Sequence, residues 1–404
     1  MSKEFPYTLT PPSKIINEIS RIANISIEEE CIETNQKLLS RYSSKDVVAV
    51  MDIPPYDRAL VDGYACRSQD ILYASAESPV VLKLVDKDVI NEGECKELNT
   101  GDKVPQGADI VVPREYTLRD KDSVLVYNSL PPNYGIGLRG EDIQKREVII
   151  RRGERIRPWH IALASAQGFK CIYVYKLPRT IVFSTGMELL EPGEPYRDGM
   201  IYDSTRRLVL SYLKWMGFDV SDGGRVNDDI DMIEKMFRKL LSEYDIIFST
   251  GGTSMGERDY TVKALKRLKP EYIVHGFAIK PGRPGAIAVV NGKIIMALSG
   301  FPVAALSELE LVFKPLIEKL LNIRIDYPKI MGRLTRRIPS QPGITELYRV
   351  RIWIQNGEHF IEPLRLTGSG VLSTLIKGNA FLIVPEDSTG FEEGERVEVH
   401  LVSW

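Results

Sequence analysis

The sequence predicts a multidomain α/β protein: one doubly wound α/β domain, a helical and mixed N-terminal part, and two further β-rich regions. Three observations predict it. The chain has 404 residues with 43% hydrophobic content, more than one core can use, so at least three domains are expected. Between Arg179 and Asn322 strands alternate with amphipathic helices, the pattern of a mostly parallel sheet covered on both faces. On either side of that stretch the texture changes to short β-like runs broken by Gly, Pro, Asn and Asp.

Taken in order, Pro12 to Ser43 reads as helical. Ile15, Ile16, Ile19 and Ile22 fall near helical spacing, and a second helix is expected to end near Arg41. From about Val47 to Asp142, runs such as Val80 to Val85 and Ile110 to Pro113 indicate a separate small β domain. Trp159 to Gly168 reads as helix and Ile172 to Tyr175 as strand. Strands of the α/β domain are expected at Ile181 to Ser184, Ile246 to Ser249, Ile273 to Lys280, Ala286 to Val290 and Ile294 to Leu298. One helix follows Asp203, with Val209, Leu213 and Met216 on one face; another follows Asp228, with Ile233, Phe237, Leu240 and Leu241. Asp203 and Asp228 are placed as N-caps. A long helix opens at Pro302 and ends near Leu321. The tail alternates over Leu347 to Ile354, Ala380 to Val384 and Arg396 to Val402, which suits a small barrel or sandwich.

The 53 basic and 55 acidic residues nearly cancel, so no global attraction to nucleic acid or anionic membrane is encoded. No run approaches the length of a membrane span and the N-terminus lacks the apolar core of a secretory signal; a soluble cytoplasmic protein is expected. Cys31, Cys66, Cys95 and Cys171 show no metal-ligand spacing and read as buried or inert thiols of a reducing compartment. The four histidines also lack ligand spacing, which disfavours a zinc hydrolase. The basic run Arg151 to Arg157 has no interleaved aromatics and reads as solvated surface.

The chemistry concentrates in the α/β domain. Asp245 to Asp259 is a buried strand running into a Gly/Ser/Thr loop, and free amides at such strand ends favour anions. Gly251, Gly252, Thr253, Ser254 and Gly256 therefore read as an anion cradle, without the signature of a Walker A or dinucleotide loop. Asp259, just beyond a phosphate-suited loop, calls for a hard divalent cation to bridge the two negative groups; its plainer role is a helix cap. Lys280-Pro-Gly-Arg-Pro284 presents two cations on a stiff turn, suited to phosphate, molybdate or carboxylate. Leu298-Ser-Gly-Phe-Pro302 gives a third anion-tolerant strand end. Two acidic motifs lie elsewhere, around Asp62 in PPYDRALVDGYA and Asp142 in LRGEDI.

With these segments, and with STGMELLEPGE, IYDS, STGGTSMGERDY, AIKPGRP, LSGFPVAAL and LTGSGVLSTLIKGNAFLIVPE, the chain resembles the molybdopterin molybdenumtransferase family, which includes a domain of gephyrin. The resemblance runs nearly end to end. It implies a helical and mixed domain I (1–46 and 144–178), an inserted β domain II (47–143), a pterin-binding α/β domain III (179–326) and a C-terminal β-barrel domain IV (327–404). It further implies a homodimer with its cleft between domains of both subunits. The implied reaction takes adenylylated molybdopterin and molybdate, requires Mg2+, and releases AMP with the metal-loaded cofactor. The related adenylyltransferase would be the delivery partner.

Carried over residue by residue, the family's acidic positions fall on Asp62, Asp142, Glu188, Asp228 and Asp259, with Glu188 and Asp259 at Mg2+, and its catalytic lysine on Lys280. Substrate binding is implied for the anion cradle, for Thr185, Gly186 and Arg283, and for Ser299, Gly300 and Ser369, the two serines as molybdate donors. The chain departs from the pattern where Leu-Pro-Gly-Asn-Pro becomes Leu298-Ser-Gly-Phe-Pro302, where an acidic residue becomes Met187, and where a basic residue becomes Gly276 beside His275. Molybdate and tungstate match in charge and nearly in size, so either is an expected substrate. Rival readings are an adenylyltransferase working through the α/β domain, a non-catalytic scaffold, and a nucleotide hydrolase releasing AMP without an oxyanion.

Overall fold

In the computed structural model the described residues are 9–253, 259–325, 327–364 and 368–402. They form two compact units, one of residues 1–45, 152–157 and 171–404, the other of 46–151 and 158–170.

The larger unit begins with helix α1 (Pro12–Ile22), whose Ile15 and Ile19 are fully buried. The second helix expected before Arg41 is instead strand β1 (Glu28–Glu33), followed only by a short 3-10 turn at Gln36–Leu38. β1 pairs antiparallel with β2 (Cys171–Lys176), with Cys31 opposite Tyr173. The pairing explains the difference: its burial alternates, a period of two that an isolated reading of Glu-Glu-Glu-Cys-Ile-Glu does not reveal. It also brings Cys31 to Cys171, which form a disulfide, correcting the expectation of inert thiols there. The bond spans 140 residues of sequence. Its reduction is expected to lower stability by about 2–4 kcal/mol, measured as the shift of the urea midpoint with dithiothreitol. Cys66 and Cys95 are free and buried, and burial pushes both thiols up, Cys95 to about 12.

The central sheet contains β3 (Thr180–Thr185), β4 (Val220–Val226), β5 (Ile246–Thr250), β6 (Tyr272–His275), β7 (Ala286–Val290) and β8 (Lys293–Leu298), in the order β4-β3-β5-β8-β7-β6. The first four of that order are parallel, while β7 and β6 are added antiparallel. Alternation splits the core. Val182, Phe248 and Met296 pack on one face with helix α2 (Ser204–Trp215) and the long C-terminal helix; Phe183, Ile247 and Ile295 pack on the other with α3 (Ile230–Leu240) and α4 (Tyr260–Arg267). The expected face of α2 is buried at Val209, Leu213 and Met216. Asp203 caps α2, accepting from the Arg206 amide, but the cap of α3 is Asp229 and not Asp228, since Met232 donates to Asp229 at 2.8 Å. The long helix is α5 (Pro302–Glu308), a π-helical turn at Leu309–Phe313, and α6 (Lys314–Leu321). The single strand expected over Ile273 to Lys280 divides: its end, Ile279–Lys280, leaves the sheet and pairs with Thr345–Glu346.

The C-terminal strands β9 (Lys329–Leu334), β10 (Thr345–Gln355), β11 (Glu358–Pro363), β12 (Ala380–Val384) and β13 (Arg396–Leu401) run β10-β11-β9-β13-β12, and a β10–β12 pairing closes them into a barrel. Closure settles the choice between barrel and sandwich. The smaller unit is built on a six-stranded sheet that includes Gly63–Cys66, Val80–Leu84 and Ile110–Pro113, with a helix at Pro158–Ala166. Among the described residues no helix is long and apolar enough to cross a membrane.

Candidate functional site

Where β3, β5 and β8 end, a cleft of about 1030 Å³ opens in the larger unit. Parallel strands point all their carboxyl ends to one edge, which is why three separate loops meet there. Thr185 ends β3 and Glu188 follows it; Thr250 ends β5 and Gly251 to Thr253 follow it; Ser299 and Gly300 follow β8. Lys280 and Arg283 enter from the turn after Ile279–Lys280, Asp228 from the segment between β4 and α3, and Ser369 from the barrel domain.

Each loop is held by identifiable bonds. Gly252 has φ +65°, and a Cβ there would lie 2.2 Å from Thr261 Oγ1, so only glycine lets α4 approach. Thr261 in turn donates to the Gly251 carbonyl at 3.1 Å. Thr205 donates to the Gly300 carbonyl at 2.6 Å, and the Val303 amide to the Ser369 carbonyl at 3.1 Å, which fastens the barrel's loop to the start of α5. The Met187 amide donates to Asp228 Oδ2 at 3.3 Å, tying the loop of Glu188 to Asp228. Behind that loop Arg206, 1% exposed, pairs with Asp203 and Asp222 and with Glu191, so a buried guanidinium braces the Glu188 loop on α2. Arg206 was not singled out from the sequence; an arginine among the apolar positions of an amphipathic helix is its only signal.

Lys280 is half-exposed, with its Nζ 3.0 Å from Glu346 of β10, which is 2% exposed and also accepts from Tyr348 at 2.6 Å. The parallel pairing of Ile279–Lys280 with Thr345–Glu346 makes this ion pair possible, and two segments 66 residues apart gave no hint of it.

Several sequence expectations lie elsewhere. Asp259 does not line the cleft: it caps α4, accepting from the Val262 amide at 3.2 Å, and stands 3.7 Å from His275 Nδ1. Burial pushes its carboxyl up, against the pull of His275 and of the Val262 amide. Gly186 sits behind the lining residues, packed on Leu189. Ser254 and Gly256 fall outside the described residues. Asp62 and Asp142 belong to the smaller unit and are exposed. Asp62 accepts from the Thr100 amide and hydroxyl, which hold its carboxyl below the usual range. The Ser299 hydroxyl lies 2.5 Å from the buried Glu308 Oε1, so it is engaged from the protein side.

Among the described residues no group of three or more His, Cys, Asp or Glu side chains is placed to hold a metal. Mg2+ that takes most of its ligands from phosphate and water needs one or two carboxylates, and Glu188 and Asp228, both on the cleft wall, would meet that need. The donor set fits.

Residues 11–168 match the family description "MoeA N-terminal region (domain I and II)", residues 181–319 "probable molybdopterin binding domain", and residues 331–402 "MoeA C-terminal region (domain IV)". A putative molybdopterin biosynthesis protein of Methanocaldococcus jannaschii is 35% identical over 96% of this chain and 94% of its own. The chain belongs to the MoeA family. A molybdopterin molybdenumtransferase of Staphylococcus aureus is 28% identical over 96% of this chain and 93% of its own. The crystal structure of a molybdopterin biosynthesis moeA protein from Pyrococcus horikoshii OT3 superimposes with a TM-score of 0.78 at 29% identity, covering 98% of this chain and all of that one. The MoeA fold is therefore shared along the whole length, and most of this chain's cleft lining falls in the region matched as molybdopterin-binding.

Proposed function

We propose that this MoeA-family chain is a molybdopterin molybdenumtransferase of molybdenum-cofactor biosynthesis. On this reading it inserts molybdate or tungstate into the dithiolene of adenylylated molybdopterin and releases AMP. One observation carries the reading: a single cleft joins a glycine-rich strand end, two cations, Lys280 and Arg283, two carboxylates, Glu188 and Asp228, and a hydroxyl from the barrel, Ser369.

The glycine loop after β5 takes the phosphates on its amides, and the Arg283 fork and Lys280 hold the oxyanion or the departing phosphate. Glu188 and Asp228 would hold Mg2+, which when bound would offset phosphate charge as a Lewis acid. Ser369 explains why the barrel is needed. An α/β domain acting alone as an adenylyltransferase would have no such donor, so the cleft favours the transferase over its nearest rival. The reading extends to a cytoplasmic homodimer that receives its substrate from the adenylyltransferase.

The test is AMP release from adenylylated molybdopterin with Mg2+, titrating molybdate and tungstate separately. Release should rise with either oxyanion and stay near background without them. Equal release in their absence would make the protein a hydrolase, and no release under any condition would favour a scaffold. The same titrations report which oxyanion is preferred.

A further inference from the structure

Helix α5 is buried along its whole length, and its last residue, Glu308, is 0% exposed. Both carboxyl oxygens address one residue: Oε2 accepts from the Ser299 amide at 2.8 Å, and Oε1 lies 2.5 Å from Ser299 Oγ. The cationic turn lies on the same side chain. A Cβ at Gly282 would come within 2.8 Å of Glu308 Cγ, and one at Gly285 within 2.9 Å of Oε1. One carboxyl thus underlies both the Ser299 loop and the turn that carries Lys280 and Arg283.

The charges around it leave that carboxyl without a countercharge. Lys280 and Arg283 are the charged groups of the overlying turn; Lys280 is paired with Glu346, and no ion pair to Glu308 forms among the described residues. The Ser299 loop contributes only its amide and hydroxyl. On the helix itself the nearest titratable neighbour, Glu310, is bonded to Tyr212 and Tyr327. An uncompensated buried carboxylate is costly, and burial pushes this acid up to about 8, against the two Ser299 bonds. Burial favours the neutral acid, and in that form the Ser299 Oγ, 2.5 Å away, is within reach to accept its proton in a hydrogen bond.

We propose that Glu308 is a positioning residue: as a neutral acid it donates to Ser299 Oγ and so turns the Ser299 hydroxyl outward, as a hydrogen-bond donor to an oxyanion in the cleft. The inference rests on the cleft being an oxyanion site. When Glu308 ionises, its oxygens only accept, the Ser299 O–H turns inward, and the cleft loses a donor while gaining a negative charge under its cationic turn. Glu308 thereby gives a physical role to serine at this position, since proline has neither the amide donor nor the hydroxyl that Glu308 engages.

The experiment is calorimetric titration of molybdate into the full chain from about pH 6.5 to 9.5 in wild type, Glu308→Gln, Ser299→Ala and Arg283→Met. Wild-type affinity is expected to fall about tenfold as pH rises through about 8. Glu308→Gln should keep the neutral-pH affinity, because the amide donates to Oγ and accepts from the Ser299 N–H, and should lose the alkaline fall. Ser299→Ala should bind about tenfold more weakly at neutral pH and show no fall. A second readout needs no ligand. Folded Glu308 keeps its proton to about 8, against 4.5 for an ordinary glutamate, so urea stability should decline with rising pH across that window and decline less in Glu308→Gln. If Arg283→Met weakens binding but Glu308→Gln follows the wild-type pH curve, this inference falls and the oxyanion cleft stands. If molybdate binds regardless of Arg283, or does not bind, the cleft reading falls and takes the inference with it.

Discussion

Lys280→Met should lower oxyanion-dependent AMP release by about three orders of magnitude and also destabilise the fold, and adding Glu346→Gln should restore only the stability. The two losses have different origins. Lys280 is one of the two cations that line the cleft in the described residues, and removing a preorganised donor of this kind costs about 100- to 1000-fold in rate. Its ammonium also neutralises Glu346, which is 2% exposed. Deleting one partner leaves the other charge buried. Because Lys280 is itself half-exposed, the stability cost should be about 1–2 kcal/mol, less than for a fully enclosed pair. Glu346→Gln removes the stranded charge while its amide can still serve Tyr348. Urea unfolding of the single and double variants, beside the release assay, checks both parts. Recovery of activity in the double variant would mean that Lys280 acts only through the Glu346 pair.

Glu188→Gln and Asp228→Asn should each reduce AMP release about 100-fold at fixed Mg2+, with little change in unfolding midpoint. Glu188 is exposed and Asp228 partly so, so stability has less to lose there than at a fully buried carboxylate. Raising Mg2+ should recover part of the rate in each single variant, because one carboxylate remains and phosphate supplies other ligands. The double variant should recover none. A Mg2+ titration of the three proteins decides it; identical Mg2+ midpoints in wild type and variants would remove both residues from the metal's surroundings.

The contrast between Asp228 and Asp259 shows how far the sequence carries. Both are acidic residues near strand ends: spacing gave Asp259 two roles, helix cap or cation-bridging carboxylate, and gave Asp228 the cap alone, its place among the site's carboxylates being implied only by the family resemblance. The structure makes Asp259 a cap beside His275 and gives the capping of the α3 helix to Asp229, while Asp228 lines the cleft. A shift of one residue decides the matter, and local composition does not resolve one residue. The strand Glu28–Glu33 was missed for a related reason. Its acidic sequence has weak intrinsic preference, and its partner Cys171–Lys176 lies far along the chain.

What the sequence determined by itself was the alternation of strands and helices from Arg179 to Asn322, the three glycine- or cation-bearing strand ends, and the family. These follow from local periodicity and from ordered motifs, both of which are written in adjacent residues. What only the tertiary structure decided was pairing between distant segments: the disulfide of Cys31 with Cys171, the closing of the barrel, Lys280 on Glu346, and Glu308 beneath Ser299. Burial is the physical reason. A carboxyl such as Glu308 acquires its chemistry from the water it has lost and the neighbours it has gained, and the chain records neither until it folds.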